Sequence, residues 1–225
     1  MKLRHIKLSE EIIIKNETIT DIVIEDSTFF YSFLADLNNA FNGNYDKVEI
    51  IQNDKRLNLS SNALFIVDPI TFDINSRKIR TDLAKGITKN IDEDIEEEFS
   101  SINERINEIV RSNITMYGNI KFKDNIEIAD FIKLLDFYID DSKENLLEKI
   151  MAWINSYIEL YRIDLFVFVN LFDYLSLGEV ESLNKYCMQE KIAILNVSRA
   201  REDKLNPFFP LFIIDKDTCI IIKKR

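Results

Sequence analysis

The sequence predicts an α/β domain of the nucleotide-binding kind, carrying a helical insertion and lacking the parts that bind phosphate. Three observations carry that prediction. Residues 22–24, Ile-Val-Ile, run from a strand into a turn and then an amphipathic helix. Two continuous apolar runs, 63–67 and 165–169, have strand length. Between them the apolar residues recur mainly at helical spacing.

In chain order, 11–14 and 19–25 read as short strands, and 28–41 as a helix with Phe29, Phe33, Leu34, Leu37 and Phe41 on one face. The run 63–67 stops at Asp68-Pro69, and its unbroken apolarity suits a central strand covered on both faces. Ile91, Ile95, Phe99, Ile102, Ile106 and Ile109 then form a helical stripe. A second helix is expected near 126–138 through Ile128, Phe131, Ile132 and Leu135, and a third from Leu146 to Tyr161; the three suit an antiparallel arm. Strand character returns at 165–170, followed by a helix at 179–189 and strands at 191–197, 211–214 and 218–222. The final strands need a sheet to join. The expected organisation is therefore one α/β head, 1–75 with 162–225, and an inserted all-α leg, 76–161.

A phosphate loop needs glycines for close backbone approach, a lysine for the β- and γ-phosphates and a hydroxyl for magnesium. At the corresponding turn this chain has Glu25-Asp26-Ser27-Thr28, whose carboxylates repel phosphate, and none of its four glycines is followed by Lys-Ser or Lys-Thr. The strand 165–170 ends in Asn170 where a metal-holding aspartate is expected. A binding or assembly protein that is not an enzyme, and holds no nucleotide, fits better than an NTPase.

Composition narrows the partners. Hydrophobic residues make up 46% and charged residues 30% of 225, a soluble balance. No apolar run reaches the roughly eighteen residues of a membrane span. The opening Met-Lys-Leu-Arg-His-Ile-Lys-Leu-Ser-Glu-Glu is charged too often for a signal peptide, so a cytoplasmic protein with reduced Cys187 and Cys219 is expected. His5 is the single histidine, which excludes a multi-histidine zinc site; it reads as an ordinary surface or strand-edge residue. Net charge is −10, unfavourable for nucleic acid unless the basic residues gather on one surface.

They do gather in the sequence. Between 76 and 90 stand Arg77, Lys78, Arg80, Lys85 and Lys89 with Asp82 as the sole acid. The acids at 92–94 and 96–98 follow, suited to the positive end of a helix. Lys121 and Lys123 flank Phe122 and project from one side if that segment is extended, with Lys133 nearby. Arg77, Lys78, Arg80, Lys121, Lys123 and Lys133 are the candidate DNA contacts, of the phosphate type that binds any sequence and weakens with salt. Two alternatives stand beside this reading. One is an assembly scaffold that touches DNA weakly. The other is a metal-dependent nuclease using Glu25-Asp26 with Asp68 and Asp73, beyond the ends of strands.

Several segments, in order and spacing, resemble a CRISPR-associated adaptation protein, the accessory subunit that marks type II-A systems, in its short form. They are Asp21-Ile22-Val23-Ile24-Glu25-Asp26, Phe65-Ile66-Val67-Asp68-Pro69 continuing to Ser76, the run 165–170, Tyr174-Leu175, and Glu179-Val180-Glu181-Ser182-Leu183-Asn184-Lys185-Tyr186. The resemblance implies a RecA-like, P-loop-like head with a degenerate phosphate loop and a helical leg positioned by bound calcium. It implies a homotetrameric ring around double-stranded DNA that favours free ends. It also implies spacer acquisition together with the integrase subunits and the effector nuclease, without nucleotide hydrolysis. One departure stands at 117–125, where Lys121 and Lys123 replace expected acids. Asp124, Asn125 and Glu127 remain as possible calcium donors, with Glu108 or Asp130 to complete a site. Alternatively, the lysine ammonium groups substitute permanently for the cation.

Overall fold

The computed structural model describes residues 1–114, 118–124, 126–199 and 209–223, with backbone only at Glu93 and Lys223. The chain divides into two compact units: Met1–Phe72 with Asp141–Arg225, and Asp73–Asp140. The elements are β1 (Lys2–His5), β2 (Ile12–Ile13), β3 (Ile19–Ile24), α1 (Ser27–Phe41), β4 (Val48–Gln52), β5 (Lys55–Arg56), α2 (Leu59–Asn62) and β6 (Ala63–Ile66). The second unit holds α3 (Arg77–Lys89), α4 (Glu93–Ile114) and α5 (Ile128–Leu134). The first unit resumes with α6 (Leu146–Tyr161), β7 (Leu165–Val169), α7 (Leu177–Glu190), β8 (Ala193–Arg199), β9 (Leu211–Ile214) and β10 (Ile220–Lys223).

The main sheet has the order β10-β9-β3-β8-β7-β6, parallel throughout except for the antiparallel edge strand β10. This is the predicted fold class. β7 is buried along its whole length, as its Leu-Phe-Val-Phe-Val sequence requires of a strand covered on both faces. β6, expected at the centre, lies at the sheet edge. Its partial burial explains the difference: Ala63 and Ile66 face the core, Phe65 stacks on Phe41, and Val67 beyond the strand is exposed.

A second sheet, β2-β1-β4-β5, is antiparallel and was not legible beyond β2. Its inward residues are Leu3, His5, Val48 and Ile50, a short alternation in which one inward position is a histidine. Asn184 on α7 fixes the start of β3 by accepting from Thr18 Oγ1 at 2.7 Å and from the Ile19 amide at 2.9 Å. A capping box of Ser176 and Glu179 starts α7.

The helix over 146–161, expected in the leg, falls in the first unit. Tyr186 on α7 donates to the Met151 carbonyl of α6 at 3.1 Å and also bonds Asn155. Trp153 is buried, packs on Phe72 and donates its indole N–H to Asp141 at 3.1 Å. In the second unit α3 packs with α5, and the Asn75 side chain closes the base through paired bonds with Ile139, amide to carbonyl at 2.9 Å and backbone N–H to Asn75 Oδ1 at 2.7 Å. The α4 stripe is not a core face. Ile95, Ile102, Ile106 and Ile109 are exposed, and Phe99 packs on Phe131 of α5.

Candidate nucleic-acid interface

The turn after β3 is built against phosphate. Asp26 is the N-cap of α1, its carboxylate accepting the Phe29 amide at 2.6 Å while its carbonyl accepts the Phe30 amide at 2.9 Å. A negative charge is thus already supplied from within the chain at the positive end of α1. Beneath it, buried Asp21 on β3 accepts from Asn196 Nδ2 of β8 at 2.7 Å, and Asn196 Oδ1 accepts the Leu171 amide at 3.0 Å. Asn170 adopts a left-handed conformation, φ 52°, and its side-chain oxygen accepts the Arg199 amide at 3.3 Å. The Asn at the end of β7 therefore serves the turn. Asp68 is similarly occupied, accepting from the Ile70 amide and the Thr71 hydroxyl, which hold its carboxyl below the usual carboxylate range.

In the helical unit, three of the six predicted DNA contacts converge. Arg77, Arg80 and Lys133 line one cavity of about 410 Å³ between α3 and α5, with Ala84, Ile132 and Phe137 as its apolar lining. The register of α3 puts Arg77, Arg80, Thr81 and Ala84 on one face, one turn apart. Arg80 also braces the base of the unit. Its Nε donates to the Asn75 carbonyl and its guanidinium pairs with Asp136, both at 2.9 Å. Arg77 is exposed and has no carboxylate partner among the described residues. Lys78 and Lys121 are also exposed but do not line this cavity. Lys123 and Lys133 both reach Asp130, at 3.2 and 3.1 Å. These pairs are exposed, so phosphate can compete for either lysine. The clasp of Asn75, Arg80 and Asp136 had no sequence signal beyond three unremarkable polar residues.

The calcium implied by the resemblance needs oxygen donors from this part of the chain. A calcium site takes about six to eight oxygens, several of them carboxylate. Asp124 pairs with Arg111 at 3.3 Å, and its carbonyl accepts from the Asn107 amide. The Asp130 carboxyl is held below its usual range by Lys133 and Lys123. Glu127 is exposed at the start of α5 and makes no capping bond. Asn103 Oδ1 is the one buried side-chain oxygen left without a partner among the described residues. Asn125 lies outside the described residues. No group of three or more His, Cys, Asp or Glu gathers among those described. The described residues do not fit a calcium site.

His5, expected at a surface, is buried between Phe29 and Phe33. Its Nδ1 accepts the Lys7 amide at 3.1 Å and its Nε2 meets Asp36 at 3.2 Å, while Lys47 reaches the other Asp36 oxygen at 3.0 Å. The missed signal was Asp36, an acid on the same helix face as Phe29 and Phe33. Cys187 is buried and its thiol is pushed up to about 12 by burial, whereas Cys219 is exposed; neither forms a disulfide. Among the described residues no helix is long and apolar enough to cross a membrane.

A parallel sheet with a strand–turn–helix start, whose helix is capped by its own aspartate, defines the class: a phosphate-loop-type α/β fold without a phosphate loop. The fold is similar to CbiO1 from Clostridium perfringens, part of the ABC transporter complex CbiONQ, at a TM-score of 0.51 and 12% identity, covering 97% of this chain and 86% of that one. A nucleotide-free ATP-binding cassette of an ABC transporter matches at a TM-score of 0.48 and 12% identity, over 98% of this chain and 90% of that one. The ADP conformation of the cassette MJ1267 also matches at 0.48, with 11% identity, over 98% and 88%. No curated protein matches in sequence. The model of the family described as CRISPR-associated protein (Cas_Csn2) matches residues 40–218. The chain belongs to that CRISPR-associated family, which accompanies type II-A systems.

Proposed function

We propose that this protein is a non-enzymatic, sequence-independent binder of double-stranded DNA, assembled as a homotetrameric ring and acting in spacer acquisition. Its partners on this reading are the integrase subunits and the type II effector nuclease. The observation that carries DNA binding is the convergence of Arg77, Arg80 and Lys133 on one cavity of the helical unit. In an acidic chain, cations that share one surface can still meet phosphate. The absence of ATP hydrolysis rests on Asp26, which occupies the helix start that a nucleotide phosphate would use. Self-assembly rests on α4: Ile95, Phe99, Ile102, Ile106 and Ile109 follow a 4-3-4-3 spacing, and four of these five are exposed. That seam also favours the scaffold reading, with DNA contact secondary.

The deciding experiment compares linear with covalently closed circular duplex at two salt concentrations. A closed ring threads only onto an end, so linear DNA is expected to bind and the circle to bind far more weakly. Affinity should fall as salt rises, with a slope set by the phosphates contacted. Equal binding of both forms would remove the ring. No binding of either at low salt would leave the scaffold.

A further inference from the structure

We infer that the cavity between α3 and α5 receives a single unpaired nucleotide at a DNA end, phosphate and base together. This rests on the DNA reading above and adds a ligand shape to it. A wall that only tracks a phosphate backbone needs cations on an open surface. Here the cations border a recess of about 410 Å³ that Thr81 and Asp136, the latter paired with Arg80, also line, with Ala84, Ile132 and Phe137 as its apolar part. Ala84 and Ile132 are almost wholly buried, and Phe137 is half-buried. An anionic rim over an apolar interior would suit a cationic amphiphile; a cationic rim over an apolar interior suits an anion with a flat, weakly polar body. A nucleotide has that form, and the volume lies in the range of small-ligand pockets, about 300–1,000 Å³.

The rim is partly preorganised. Arg80 is held by the Asn75 carbonyl and by Asp136, which cancels much of its charge while fixing its position. Arg77 has no carboxylate partner among the described residues, and Lys133 exchanges one exposed partner for another. The phosphate is therefore assigned to Arg77 and Lys133, and the base to Ile132 and Phe137. Within a duplex, filling the recess would require unstacking a paired base, whereas an overhanging nucleotide is already unpaired. The occupant is accordingly a strand end.

The test uses the full-length protein and four duplexes of one sequence: blunt, closed circular, with a single-nucleotide overhang, and with the same overhang made abasic. The abasic form keeps the phosphate and removes the base. The natural overhang is expected to bind roughly five-fold or more tighter than the abasic one, the low end of base–aromatic stacking. Phe137→Ala should abolish that difference. Because that substitution can loosen α5, a 5-iodouridine overhang is also photocrosslinked to the unmodified protein, with the adduct expected at 132–137. Equal affinity for natural and abasic overhangs, or a crosslink elsewhere, overturns the nucleotide pocket while blunt-end binding still supports the DNA reading. No binding of any linear duplex overturns both.

Discussion

His5 is satisfied as a neutral ring. Nδ1 accepts the Lys7 amide, so Nε2 carries the proton and donates to Asp36. A second ring proton would have to displace the Lys7 amide. Burial, outweighing the attraction of Asp36, holds the His5 pKa below its ordinary 6.5. The unfolded chain then takes up a proton that the folded chain refuses, so stability is lost as pH falls through about 6.5 toward the lower folded value. Urea melts at pH 7.5 and 5.5 are expected to give a lower midpoint at 5.5. His5→Ala should flatten that difference and cost about 2–4 kcal/mol at pH 7.5, because it leaves the buried Asp36 with Lys47 alone. An unchanged pH profile in the variant would assign the effect to other groups.

Among the elements, β3, α1, β7, α7 and β9 were legible because each has a period or an unbroken apolar run decided by its own residues. What failed depended on distant partners. The small sheet was missed because His5 faces inward only through Asp36, thirty-one positions away. β6 reads as a central strand, since sequence cannot tell coverage by strands from coverage by Phe41. Of the candidate contacts, Arg77, Arg80 and Lys133 were legible as cations, but the role of Arg80 in bracing Asn75 was not. Two predictions belong at this scale. ATP should give no saturable heat in calorimetry, with or without magnesium, because the α1 start is already capped; saturable binding that Asp26→Ala alters would overturn this. The α4 seam should carry assembly. Light scattering is expected to give about 106 kDa, four times the 26.5 kDa chain, and Ile102→Glu should lower that mass without unfolding the chain. Ile102 is already exposed, so the charge costs the isolated chain little. A tetramer that survives Ile102→Glu would put the interface elsewhere.

At the scale of the whole molecule, the proposed function asks a chain of net charge −10 to meet DNA and its own copies, and a divalent cation would ordinarily help. Here two of the carboxylates at or near the 118–127 segment already have cations of the chain's own: Arg111 at Asp124, and Lys123 with Lys133 at Asp130. Calcium binding at those oxygens would have to displace ammonium and guanidinium groups, which then repel it at close range. DNA binding and assembly are therefore expected to survive chelation largely intact, as read by anisotropy and light scattering in excess chelator and in calcium. The double substitution Lys123→Gln with Lys133→Gln should release Asp130 and make calcium binding stronger by calorimetry, while weakening DNA binding through the loss of two phosphate contacts. These two effects oppose one another, which separates a cation-replacement role from a purely DNA-facing one. Loss of DNA binding in chelator, restored by calcium, would show that the lysines face away from a metal site completed by other oxygens.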